Sequence, residues 1–298
     1  MNNNFFNKSF ENKIKPGLLF PTIRLIMKFI SFIGIFILKK INFMVVLSKL
    51  RNTKQVLYVE LSSAVGLSIW FRGVYELKNT LLIQKILSSG DIFFDIGGNA
   101  GYFSVIASPI VGPAGSVHYF EPNPKLCALF KRSLEKNEIS NVKIVPKAVM
   151  SNNGKVKFLS MKDSGLSRIV IDPKVIKNNQ KNKLTTVPSI TIDDYCQLNM
   201  DTKDCPKLIK IDVEGAELNV LQGAKQTLKR HQPIIFAEIQ NITLNKFGAT
   251  ATKLFKFMSS LGYKGKDPNT QKEITNPENL AWPNNMVLFT PINYRGFP

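Results

Sequence analysis

Asp91-Ile92-Phe93-Phe94-Asp95-Ile96-Gly97-Gly98-Asn99-Ala100-Gly101-Tyr102-Phe103 runs from a short apolar stretch through a cluster of glycines into the start of an apolar helical stretch. A brief apolar run closed by glycine suits a buried strand. Glycines at a strand-to-helix turn let the backbone approach a ligand closely, and the helix N-terminus behind them offers unpaired N–H groups to a carboxylate or phosphate. A nucleotide-like ligand is the natural occupant of such a turn. Spacing narrows the choice. A dinucleotide fingerprint places glycines first, third and sixth, but counting from Gly97 the third residue is Asn99 and the sixth is Tyr102. Hydride-transfer chemistry therefore loses its main support, and what remains is D-x-G-x-N-x-G, formed by Asp95, Gly97, Asn99 and Gly101.

Outward from this turn, short apolar runs alternate with helical stretches between Ser88 and Phe289. Strands are predicted at about 91–95, 116–120, 142–148, 207–212 and 233–238, with a late pair near 262 and 286–289. Helices are predicted over about 101–111, 124–137, 217–230 and 250–261. That alternation predicts an α/β fold, a mostly parallel sheet covered by helices on both faces. The second strand ends in Phe120-Glu121-Pro122-Asn123, placing Glu121 twenty residues after Gly101 at a strand tip. A carboxylate there can accept from two vicinal ribose hydroxyls at once. Further on, Lys210-Ile211-Asp212-Val213-Glu214-Gly215-Ala216-Glu217 runs off another strand into a helix. Asp212 and Glu214 sit where ligands of open α/β sheets collect, and two carboxylates there need a polar reason. Glu217 is better read as a favourable charge at a helix start.

Taken together, Phe94-Asp95-Ile96-Gly97, Phe120-Glu121-Pro122-Asn123, Thr191-Ile192-Asp193-Asp194 and the 210–217 block resemble the FkbM family of class I S-adenosylmethionine methyltransferases. The resemblance runs from about Val74 to Glu238. It implies a Rossmann-like, seven-stranded sheet and S-adenosylmethionine as cofactor. It also implies an acceptor hydroxyl on a sugar, a glycan or a related small molecule. On that reading Asp95, Gly97, Asn99, Gly101, Glu121 and Asn123 bind the cofactor. An aliphatic hydroxyl needs help in losing its proton. With only His118 and His231 as imidazoles, the bases near the strand tips are Asp212, Glu214 and Glu238. No metal site is assigned.

The 298 residues, 44% hydrophobic and 20% charged, suit one α/β domain with appendages. We expect a disordered tail at 1–15, a helical extension at 16–73, and a catalytic domain at 74–298 carrying a surface insertion at 151–188. Within the extension, Arg24, Lys28 and Lys39 share a helical stripe against a broad Phe/Ile face, the pattern of an interfacial helix over 17–40. Its longest uncharged run, from Phe29 to Leu38, is too short to span a bilayer. Peripheral contact with the inner face of a membrane follows as an expectation. Cys127, Cys196 and Cys205 form no C-x-x-C pair, so neither a zinc site nor a disulfide framework is indicated and a cytoplasmic setting is expected. The net charge of +19 is densest early, with 12 Lys/Arg against 3 Asp/Glu in residues 1–80. Such charge attracts phosphate of any kind. The Asp/Asn-Pro-Pro-aromatic loop of base-amino methylation is absent at 212–215, so nucleic acid is not the expected partner. Two rivals remain: an RNA ribose methyltransferase, echoed by Lys210, Asp212 and Glu238, and a cofactor-binding scaffold without activity.

Overall fold

The structure is a computed structural model that describes residues 44–161, 163–170, 183–201, 204–280 and 285–294. The expected tail at 1–15, the 17–40 helix and most of the polar tract at 177–183 lie outside those residues.

The described chain opens on an antiparallel hairpin, β1 (Val45–Lys49) and β2 (Val56–Glu60), followed by α1 (Ala64–Arg72) and α2 (Leu77–Ile86). Then come β3 (Ile92–Ile96), α3 (Tyr102–Val111), β4 (Ser116–Phe120), α4 (Pro124–Lys136) and β5 (Val142–Val145). A second sheet follows from β6 (Ala148–Val149), β7 (Gly154–Ser160), β8 (Arg168–Val170) and β9 (Lys183–Ile190). After it come α5 (Ile192–Asn199), β10 (Leu208–Ile211), α6 (Glu217–Gln222), α7 (Lys225–His231) and β11 (Ile234–Glu238). The last elements are α8 (Asn241–Leu244), α9 (Ala251–Ser260), β12 (Tyr263–Lys266) and β13 (Met286–Pro291).

The main sheet has seven strands in the order β12-β13-β11-β10-β3-β4-β5. β11, β10, β3, β4 and β5 are parallel, while β13 runs antiparallel to both of its neighbours. This is the expected mostly parallel α/β sheet. Strand order reverses at β3, with β4 and β5 on one side and β10 and β11 on the other. The crevice at the C-terminal ends of β3 and β10 is thus where an open sheet receives its ligand.

Both faces are covered, which is why the strands read as unbroken apolar runs. Phe94, Ile209, Ile211 and Ile235 pack with Leu218, Leu228 and Leu254 on one face. Phe93, Val117, Leu208 and Phe236 pack with Val105, Phe130, Ile69 and Leu57 on the other. Alternate residues of a strand point to opposite faces, so neighbours Phe93 and Phe94 enter different cores.

Three expectations change. Residues 44–73 are not part of a helical extension: they form the hairpin and α1, and the compact unit begins at Met44. Leu57 and Val59 are buried in the sheet's core, and α4 fastens the hairpin through Ser133 Oγ, which accepts from the Tyr58 N–H at 3.0 Å, and Asn137 Oδ1, which accepts from the Val56 N–H at 2.8 Å. The helix expected over 217–230 is two helices. Gly223 at the break lies so close to the Met150 carbonyl that a Cβ would collide with it, and Asp193 caps the second helix by accepting from the Gln226 and Thr227 N–H groups. The strand expected over 142–148 is split into β5 and β6, and β6 leaves the main sheet to pair with β9.

Candidate active site

The 97–101 turn is built for close approach. Gly97 (φ +77°) backs onto the Asp212 carbonyl and Gly101 (φ +81°) onto the Phe130 ring; in both places a Cβ would overlap its neighbour. Asn99 also takes a left-handed conformation, which its side chain tolerates. Glu121 ties the turn to the tip of β4. Its Oε2 accepts from the Asn99 N–H at 3.1 Å and its Oε1 from the Asn123 N–H at 2.8 Å. An ionised carboxylate has about four lone-pair sites, so roughly two stay free for a ligand. Burial pushes the Glu121 carboxyl up to about 7, against the pull of those two N–H donors.

Beneath the turn lies a buried charge chain. Asp95 is fully buried, with Oδ2 accepting from Ser104 Oγ at 2.7 Å and Oδ1 at 4.0 Å from Lys210 Nζ. Among the described residues Asp95 Oδ1 has no hydrogen-bond partner. Burial raises the Asp95 pKa, and Lys210 and Ser104 oppose it. Lys210 Nζ donates to Asp212 Oδ2 at 3.2 Å. Burial on its own would lower the lysine's pKa, but Asp212 and Asp95 outweigh it and the net shift is upward.

Above this chain three carboxylates converge. One oxygen from each of Asp212, Glu214 and Glu238 lies within 4.8 Å of the others, a grouping that also has the donor chemistry for a divalent cation. Burial, then the neighbouring Asp212, pushes Glu214 up to about 7. The same two causes push Glu238 up to about 8, although Asn285 Nδ2 donates to its Oε1 at 2.8 Å. Like charges this close disfavour one another, which favours the protonated forms of Glu214 and Glu238. Glu214 sits at φ +58°, a strained setting for a residue with a long side chain.

A cleft of about 1000 Å³, counting the space open at its mouth, joins these parts. Gly97, Asn99, Glu121, Asp212, Glu214 and Glu238 all line it. Asp95, Gly101 and Asn123 do not. Asp95 lies under the turn, Gly101 packs on Phe130, and Asn123 caps α4 by accepting from the Lys125 N–H at 3.1 Å. Glu217 reaches back to accept from the Gly215 N–H at 3.0 Å, which holds the 212–216 loop. Sequence reasoning missed Tyr75 and Glu76 ahead of α2, Lys147 after β5, and Ser164 and Arg168 in the 151–188 segment, all of which line the cleft. One weak local signal was available: Arg168 directly ahead of the apolar run Ile169-Val170-Ile171. Ser164 Oγ donates to Asn99 Oδ1 at 3.4 Å, so this segment walls the glycine turn.

The family described as the methyltransferase FkbM domain matches residues 95–264, more than half of the chain. The chain belongs to the FkbM methyltransferase family. Among curated proteins, the hexuronic acid methyltransferase AglP of Haloferax volcanii is 29% identical over 165 residues, covering 53% of this chain and 59% of AglP. Among solved structures, an FkbM methyltransferase from Methylobacillus flagellatus superposes with a TM-score of 0.42 at 16% identity, covering 70% of this chain and 47% of that one. A SAM-dependent O-methyltransferase from Thermotoga maritima gives a TM-score of 0.43 at 14% identity, covering 84% and 79%. This FkbM-family chain spans less than two thirds of the length of AglP and of the Methylobacillus protein. The matched region runs from the Asp95 turn to β12 and so takes in Glu121, Asp212, Glu214 and Glu238.

Proposed function

We propose that this FkbM-family chain is an S-adenosylmethionine-dependent O-methyltransferase whose acceptor is a hydroxyl of a sugar, a glycan or a related metabolite. One observation carries the reading: Glu121 and the 97–101 turn open into the same cleft as Lys210, Asp212 and Glu238. The residues fit the cofactor in three respects. Glu121 keeps acceptor sites for a ribose diol, the N-terminus of α3 would offer its N–H groups to an amino-acid carboxylate, and the acidic cleft favours a sulfonium cation. When bound, S-adenosylmethionine supplies an activated methyl group.

The chain's own residues do the rest. Asp212 or Glu238 accepts the acceptor's hydroxyl proton, and burial beside a second carboxylate lifts Glu238 toward neutral pH, where a general base works best. Lys210 fixes the Asp212 carboxylate through its 3.2 Å contact. Lys147 and Arg168 set cations on the cleft wall that suit an acidic sugar, in keeping with the hexuronic acid methyltransferase among the relatives. The basic, apolar segment at 17–40 supports a place at the inner membrane surface.

The test is methyl transfer from labelled S-adenosylmethionine by the full chain to hexuronates, neutral hexoses, hexuronate-containing glycans and RNA. Label on a sugar hydroxyl is the expected result. Label on RNA ribose alone would move the acceptor to nucleic acid, and cofactor binding without transfer to any acceptor would favour the scaffold.

A further inference from the structure

Two helices next to the cleft carry large apolar side chains that nothing in the described structure covers. Phe71 at the end of α1 is 70% exposed and Trp70 beside it 44%, their rings 4.7 Å apart. On α2, Leu77 and Leu81 are 53% and 55% exposed and lie one helical turn apart on the same side. Phe71, Arg72 and Leu77 line one surface groove together with Arg51 from the hairpin turn. The exposed charges here are mainly positive: Lys49, Arg51, Lys54, Arg72 and Lys78, against Glu76, which is held by Asn79 Nδ2 at 2.9 Å. Among the described residues no carboxylate lies within salt-bridge distance of Arg51, Arg72 or Lys78. Glu76 lines both this groove and the active-site cleft, so the patch borders the cleft's mouth.

We infer that the α1–α2 face docks on an anionic lipid surface. Exposed Trp and Phe beside Leu, ringed by Arg and Lys, form the combination that settles at a headgroup boundary: rings and aliphatic chains enter the apolar edge while cations meet lipid phosphate. A second copy of this chain is a poor occupant, because a twofold contact through the same face would set Arg51, Arg72 and Lys78 against their own images. The face is formed by residues 49–81. It places the cleft's mouth at the lipid surface, within reach of an acceptor carried on a lipid.

The chain has two tryptophans, Trp70 and Trp282, so the full chain with Trp282→Phe reports on this face alone. It is mixed with vesicles of equimolar phosphatidylcholine and phosphatidylglycerol, with or without bromine on the acyl chains, or of phosphatidylcholine alone. Trp70 emission should shift to the blue and be quenched by brominated anionic vesicles, and both effects should fade at high salt. Removing two cations with Arg72→Gln and Lys78→Gln should weaken partitioning roughly 30-fold. Phe71→Ser with Leu81→Ser should abolish the quenching while the thermal melt stays that of the parent. Unchanged Trp70 emission would overturn the inference, even if the protein floats with vesicles. So would sedimentation as a dimer that Phe71→Ser disperses, which would assign the face to a second copy.

Discussion

Replacing Glu121 by Gln separates cofactor recognition from the stability of the turn. In the folded chain the Glu121 carboxyl is buried, and its pKa stands at about 7 against an ordinary value of 4.5. The neutral form is thus the one the fold prefers. That stability is present at acid pH and is lost as pH rises through about 7, a cost of roughly 3 kcal/mol for holding the ionised form. Gln escapes that cost, but its amide offers one acceptor oxygen where the carboxylate offers two. One of the Asn99 and Asn123 N–H groups then faces an NH₂, at about 1–3 kcal/mol. The two terms nearly cancel, so above about pH 7 the melting curve of Glu121→Gln should stay within about 2 kcal/mol of the parent.

Binding has no such compensation. At least one hydrogen bond from a ribose hydroxyl to a charged acceptor is lost, worth about 1.5–3 kcal/mol, or roughly 10- to 150-fold in Kd. The assay is calorimetric titration with S-adenosylmethionine beside a thermal melt of the same sample. In the parent, affinity should weaken as pH falls through about 7 and the carboxylate takes up a proton, a dependence the Gln variant should lack. A Kd within about twofold of the parent would refute the role of Glu121 as ribose acceptor. A large loss of stability in step with affinity would refute the separation of the two effects.

Asp212→Asn and Glu238→Gln should each lower turnover by about 10²- to 10⁴-fold if either is the base, and the parent's kcat should rise with pH as the raised Glu238 carboxyl ionises; near-normal turnover in both variants would move the proton's acceptor to Glu214. His118 is buried between Ser116 Oγ and Tyr195 OH, and burial holds its pKa at about 4 against 6.5. The unfolded chain takes up a proton there that the folded chain refuses, so this histidine costs about 3 kcal/mol as pH falls from 6.5 toward 4. Glu121, Glu214, Glu217 and Glu238 push the other way, so the effect is read in urea melts as the difference between the parent and His118→Asn; equal slopes would refute it. Lys210→Met leaves Asp95 buried without its cation and should cost about 3–5 kcal/mol in denaturant unfolding, whereas a loss under about 1 kcal/mol would show that the Asp95 carboxyl is neutral.

Local pattern determined much of this protein. Buried parallel strands must be apolar and short, so most of the main sheet is legible as runs between glycine and helical signals. The glycine turn is legible because Gly97 and Gly101 stand where a Cβ has no room. Glu121, Asp212, Glu214 and Glu238 are legible because each sits at or just past a strand's C-terminal end, where an open sheet gathers its ligand. Only the tertiary structure decided which of those residues meet. Asp95 and Lys210 lie side by side because β3 pairs with β10 in a register that sets them opposite one another across more than a hundred residues of chain. Asp212 nears Glu238 because β10 pairs with β11, bringing the two strand tips together. The hairpin at 45–60 was hidden because its short strands, paired with each other, are fastened to the domain by Ser133 and Asn137 at α4, far away in sequence. Arg168 and Ser164 were hidden for the same reason, since their place on the cleft follows from the folding of the second sheet over the glycine turn. Pattern along a chain records what each residue needs locally, while a site is made by long-range pairing that no local spacing encodes.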